Sequence, residues 1–220
     1  MEFNLVQTIA IYALPVIFAI TLHEAAHGYV ARMFGDNTAY VLGRVSLNPL
    51  RHIDPVGTVL VPLLILTTSS LMGAGGILFG WAKPVPVDFG GLRHPKRDML
   101  WVAAAGPFAN LCMALLWAFA FKLAVLAPST AFTLPLSLMA KAGITVNLVL
   151  MLLNLLPILP LDGGRIAVSL LPNRMAYGFS RLEPYGFPIL LVLLFTNILG
   201  AILNPMVNAS IHVIATIFQL

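Results

Sequence analysis

Long runs without a single acidic or basic residue set the rhythm of this chain. Residues 3–22, 55–82, 99–121, 142–161 and 184–220 contain no Asp, Glu, Lys or Arg. Each run reaches the roughly 20 residues that an apolar helix needs to cross a bilayer. Polar positions punctuate the runs. A first helix is predicted over 4–34, stopped by the turn signal Gly35-Asp36-Asn37. A second long helix is predicted from Met99 to Leu126, and another ends at Asn154. The C-terminal run is long enough for two passes, with Asn204-Pro205 as the break. Residues 79–87 cannot be helical throughout, because Pro84 and Pro86 remove donors and bias their neighbours to extended geometry. An extended strand over 81–87 is the better reading.

Composition points the same way. The chain is 60% hydrophobic and 9% charged, whereas soluble domains carry about a quarter charged residues. Too few charges remain to solvate a globular surface, so lipid is the expected solvent. The fold class is therefore an all-α polytopic membrane protein of about five to six transmembrane helices, with a re-entrant or membrane-associated β element. A single domain is expected over 1–220, with a core at 4–165 and C-terminal helices at 184–220. The net charge of +4 is not a nucleic-acid signal, since no basic run is interleaved with aromatics. Cys112 is the only cysteine, which excludes an intrachain disulfide. Glu2 stands where a signal peptide would carry Lys or Arg, so the first segment is read as a retained span.

The cations report topology instead. Arg32, Arg44 and Arg51 follow the first span, Arg93, Lys96 and Arg97 precede the third segment, and Arg165, Arg174 and Arg181 follow Asp162. Lys and Arg mark cytoplasmic loops, which places all three clusters inside and the N-terminus outside. Both flanks of 55–82 are then cytoplasmic, so that segment is expected to re-enter rather than cross. Irregular backbone at membrane depth is tolerated where it lines a protein cavity.

Against this apolar background, His23-Glu24-Ala25-Ala26-His27 stands out. Positions i and i+4 share one helix face, so both imidazoles can reach one zinc ion, with Glu24 beside them to take a proton from water. Chance would produce the pattern in this composition on the order of once in a thousand sequences. Ionisable groups inside a membrane span are costly and point to function. Catalytic zinc usually has three protein ligands. His52, His94 and His212 and the remaining acids are candidates, most of them in polar loops. Asp162 differs: it follows an apolar run and opens a Gly163-Gly164 turn that can aim a short carboxylate into a cavity. It is preferred to His52. The charge map also puts His23, His27 and Asp162 at similar depth, near the cytoplasmic ends of their segments.

HExxH on a membrane helix, followed far downstream by Asn154-Leu-Leu-Pro-Ile-Leu-Pro-Leu-Asp162-Gly-Gly-Arg165, resembles the site-2 protease family of intramembrane zinc metalloproteases. Ala105-Gly106-Pro107-Phe108-Ala109-Asn110 is similar to that family's Gly-Pro-x-x-Asn segment. The resemblance covers His23 to Arg165. It implies one zinc per chain on His23, His27 and Asp162, with Glu24 as catalytic acid/base. Asn154 would position substrate or stabilise an oxyanion, with an interhelical hydrogen bond as the equal alternative. An interhelical hydrogen bond is the simpler reading of Asn110 and Asn147. The strand at 81–87 resembles a membrane-associated β element that could pair with an unwound substrate. The chain has no room for a PDZ domain or a CBS pair and resembles the compact subgroup.

The resemblance thus implies hydrolysis of peptide bonds within or near transmembrane segments of a membrane-protein substrate, at the cytoplasmic side of a prokaryotic cell membrane. The lipid bilayer and that substrate are the expected partners, with no nucleic acid; oligomeric state is left open. A membrane metal-ion transporter would need acidic or His groups at several depths, and an inactive binding protein would not need Glu24. A zinc protease with a downstream Glu ligand has only Glu183 to draw on.

Overall fold

A computed structural model describes residues 4–52, 54, 57, 60, 83–128 and 130–220. Helix α1 (Leu5–Met33) opens on a capping box: the Asn4 side chain accepts from Gln7 N–H at 2.9 Å, and the Gln7 side chain accepts from Asn4 N–H at 3.0 Å. A short helix α2 (Thr38–Val41) follows the turn at Gly35. Then come α3 (Pro95–Leu126), α4 (Thr133–Asn154), α5 (Asp162–Leu170), α6 (Asn173–Ser180), α7 (Glu183–Phe195) and α8 (Ile198–Phe218).

Four of these, α1, α3, α4 and α8, are long and apolar enough to cross a membrane. The bent pair α6–α7, with 62° between its arms, makes a fifth if the two count as one broken span. Among the described residues this is four or five spans, against the five to six expected of the whole chain. Large apolar side chains such as Phe108, Leu116, Phe119, Leu123, Val192 and Phe195 are exposed on the outer faces, which a lipid solvent explains and water does not.

Helix α3 is the hub, packing against α1, α4 and α5, while α8 packs on α4. The main apolar cluster lies between α3, α4 and α8, around Trp117, Leu148, Leu152, Leu199, Leu203 and Val207. A smaller cluster of Ala31, Leu92, Met99 and Val102 joins the end of α1 to the start of α3. The first seam sets the register of α3, α4 and α8, and the second that of α1 against α3.

Three expectations are revised. The C-terminal break falls at Asn197, in the left-handed region at φ 60°, and Pro205 lies inside α8. A proline deletes one donor, which a membrane helix tolerates, whereas a positive-φ residue redirects the chain. Second, Gly163 and Gly164 belong to α5, not to a turn. Their role is close approach: a Cβ at Gly163 would run into the carbonyls of Leu155 and Leu156. Third, no strand occurs among the described residues. Lys83–Asp88 has its backbone groups met mostly by side chains instead of a ladder. Arg44 donates to the carbonyls of Lys83 (2.7 Å) and Pro84 (3.3 Å), Val85 N–H donates to Glu24 (2.7 Å), and Asp88 N–H donates to the buried Asp36 (2.8 Å). Among the described residues its backbone pairings are Lys83 N–H to the His52 carbonyl at 2.9 Å and Gly91 N–H to the Asp88 carbonyl at 3.0 Å. Trp81 and Ala82, and nearly all of the segment expected to re-enter, lie outside the described residues.

Candidate metal centre

The last third of α1 buries His23 and His27 against α3, one turn apart. Asp162, the first residue of α5, is brought to them because α5 docks on the same helix. The ligand atoms of these three residues all lie within 4.8 Å of one another. His23 Nε2 is 3.1 Å from His27 Nε2 and 3.2 Å from Asp162 Oδ2, and His27 Nε2 is 3.4 Å from Asp162 Oδ1. Nitrogen and oxygen ligands at zinc bond lengths define a tetrahedron with edges of about 3.3 Å. The His–His separation is close to that edge, and each imidazole lies at a similar distance from a different oxygen of Asp162.

The donor chemistry points the same way. His27 Nδ1 lies 2.7 Å from the Val102 carbonyl. A carbonyl can only accept, so this nitrogen carries the proton and Nε2 presents a lone pair. For His23 the tautomer is set by a chain of amides. Asn147 donates from Nδ2 to the Gly143 carbonyl at 2.8 Å, which leaves its Oδ1 to accept from Asn110 Nδ2 at 3.0 Å. Asn110 Nδ2 also donates to the Ala19 carbonyl at 3.2 Å. Asn110 Oδ1 is thereby the acceptor that faces His23 Nδ1 at 2.6 Å. Both Nε2 lone pairs therefore converge on a carboxylate.

Asp162 Oδ2 is buried and accepts no hydrogen bond. A cluster of lone pairs this tight, without a donor among them, suits a cation. Gly106 completes the cradle: a Cβ there would sit 2.7 Å from His23 Nε2 and would also strike His27 Nε2.

The other predicted residues sort clearly. Glu24 is half-buried beside the pair, its Oε2 accepting from Val85 N–H. Asn154 donates to the Leu150 carbonyl of its own helix at 3.0 Å. His52 is buried apart from the cluster, facing the Ser46 carbonyl at 2.8 Å. Glu183 lies 3.7 Å from Arg165 and is no ligand here. For Asn110 and Asn147 the interhelical bond is the simpler reading of the sequence. They make that bond, but their chain ends on a metal-facing imidazole. The one local signal is an amide in each of the charge-free stretches 99–121 and 142–161, which does not say what it faces.

Over 212 residues the chain is 39% identical to "Putative zinc metalloprotease YwhC" of Bacillus subtilis, covering 94% of this chain and 90% of that protein. The chain belongs to this zinc metalloprotease family. It is also 29% identical over 192 residues to "Putative zinc metalloprotease Rip2" of Mycolicibacterium smegmatis, covering 84% of this chain and 66% of that one. The Rip2 of Mycobacterium tuberculosis is 32% identical over 151 residues, 67% of this chain and 52% of its own length. No protein-family model and no solved structure matches the chain.

For a zinc metalloprotease, the amide chain carries a testable consequence. Asn110→Leu is expected to lower zinc affinity about 10–100-fold, as loss of an outer partner of a ligating His does elsewhere. Titration against a graded zinc chelator reads this directly. An unchanged affinity would detach Asn110 from the metal.

Proposed function

We propose that the protein is an intramembrane zinc endopeptidase of the site-2 type, cutting peptide bonds within or beside a transmembrane helix of another protein. One observation carries the reading: the three candidate ligands converge between α1 and α5, and two of them lie inside a helix apolar enough to span the bilayer. A water-soluble protease has no reason to place its chemistry there.

In this reading His23, His27 and Asp162 hold the ion. Zinc, when bound, supplies Lewis acidity that polarises a carbonyl and acidifies water. Glu24 takes the proton of the attacking water and returns it to the leaving amine. The Val85 N–H holds one carboxylate oxygen of Glu24, which leaves Oε1 for proton transfer. Asn154 keeps a second N–H beyond its bond to Leu150 and is the candidate oxyanion donor. Val87 N–H and the carbonyls of Val85 and Val87 make no hydrogen bond among the described residues. An unwound substrate adding alongside 83–87 would satisfy them. The basic clusters favour a site toward the cytoplasm. Transport is the weaker reading, since one cluster of His and acid groups is found among the described residues rather than a series along several spans.

The test is where the cut falls. Purified protein in liposomes is given a single-span reporter helix, and the new termini are mapped by mass spectrometry. Cleavage within or at the edge of the apolar span is expected. Cuts confined to soluble flanks, or to soluble peptides, would remove the intramembrane assignment while leaving a zinc protease.

A further inference from the structure

Helix α8 has three faces of different character. Leu199, Leu203, Val207 and Ile214 are buried against the rest of the bundle. On one flank Ile198, Ile202, Met206, Val213 and Ile217 are exposed, as a lipid-facing surface requires. The opposite flank is also exposed but carries Asn204, Asn208, His212 and Thr216, a polar residue every four positions. Thr216 satisfies itself by donating to the His212 carbonyl of its own helix at 2.8 Å. Among the described residues, the side chains of Asn204, Asn208 and His212 make no hydrogen bond.

The depth of these groups makes the flank informative. The helix has 21 residues, about 31 Å at 1.5 Å per residue, and Asn208 is its central residue. An amide at that level facing hydrocarbon forfeits its hydrogen bonds. No soluble partner reaches it. The remaining residues of the same flank, Ala201, Pro205 and Ala215, are small, so another helix can approach closely.

We propose that this flank of α8 is a homodimer interface, occupied by α8 of a second copy of the chain. Self-complementarity selects that occupant. Two copies inserted in the same orientation pair their α8 helices in parallel about an axis along the membrane normal, so each residue meets its twin at equal depth. An amide donates and accepts, and a neutral imidazole does both with its two nitrogens, so Asn204, Asn208 and His212 each complement themselves. The stripe has no charge that would select an oppositely charged partner. Its four-residue spacing also matches the close right-handed crossing of membrane helix pairs. The interface is distinct from the metal centre on α1 and α5, and the proposal stands whether or not the cut is intramembrane.

The experiment uses the full chain in liposomes, with the exposed Cys112 replaced by Ser. A single cysteine is placed at Ala201→Cys, within the polar flank, or at Ile202→Cys, on the apolar one. Neither change touches the stripe. Oxidation at low protein-to-lipid ratio is expected to give a disulfide-linked dimer at least tenfold more efficiently from A201C than from I202C. In parallel, energy transfer between labelled copies should show that Asn204→Leu with Asn208→Leu raises the dissociation constant at least tenfold while zinc content stays at the wild-type level. Equal cross-linking at the two positions overturns the proposal. So does a wild type that stays monomeric at all lipid dilutions, or labelling of A201C by an impermeant thiol reagent as freely as a loop cysteine, which would mark a water-filled groove instead.

Discussion

Glu24→Gln is expected to lower cleavage of a transmembrane reporter by about 10²–10⁴-fold, the usual contribution of a positioned acid/base group, while zinc content stays unchanged. Glu24 is not among the three groups whose ligand atoms converge, so its loss leaves the metal set whole. The amide is nearly isosteric, and its oxygen can still accept from Val85 N–H, which now meets Glu24 Oε2 at 2.7 Å. The segment around Val85 should therefore stay strapped to α1. What disappears is the capacity to take a proton and return it. Turnover per chain, with metal quantified on the same sample, separates these effects. A variant that keeps its zinc and its activity would remove Glu24 from the chemistry, and a variant that loses its zinc would show that the carboxylate has a structural part in the site.

How far the sequence announced this site depended on the range of the interaction. His23, Glu24 and His27 were legible because their geometry is local: a helix puts i and i+4 on one face wherever it lies. Asp162 was legible less directly, as an acid closing an apolar run beside two glycines. Those glycines were misread as a turn, since Gly163 serves a close approach of α5 to the Leu155–Leu156 carbonyls, and sequence spacing says nothing about which backbone comes near. The amide chain from Gly143 through Asn147 and Asn110 to His23 spans three helices. It exists only once α1, α3 and α4 take a common register, which large side chains such as Trp117 and Leu148 help set. No local pattern encodes that register. The end of the chain shows the opposite error. Asn204-Pro205 looks like punctuation, yet α8 runs through it, and the chain breaks at Asn197, just before α8 begins.

The second large effect is expected at a residue with no side chain. Gly106→Ala should prevent zinc from co-purifying with the protein, with affinity reduced more than about 100-fold, beyond the 10–100-fold typical of an outer-partner loss. The methyl would stand 2.7 Å from His23 Nε2 and 2.6 Å from its Cε1, and would collide with His27 Nε2. Neither ring can easily retreat. His23 is held through Nδ1 by Asn110, and His27 through Nδ1 by the Val102 carbonyl. Both clamps sit on α3, one turn to either side of Gly106, so the helix that brings the methyl also fixes what it strikes. Relief of these contacts takes more than a few tenths of an ångström and would move two of the three ligand atoms, and metal sites tolerate only about 0.2 Å. Gly178→Ala, where a Cβ meets nothing within 4 Å, is the matched control and should retain full zinc. Metal per chain after dialysis, with helical content followed by circular dichroism, separates loss of the site from loss of the fold. Normal zinc in folded G106A would mean that the ion does not lie between these two imidazoles, and the three-ligand assignment would fall with it.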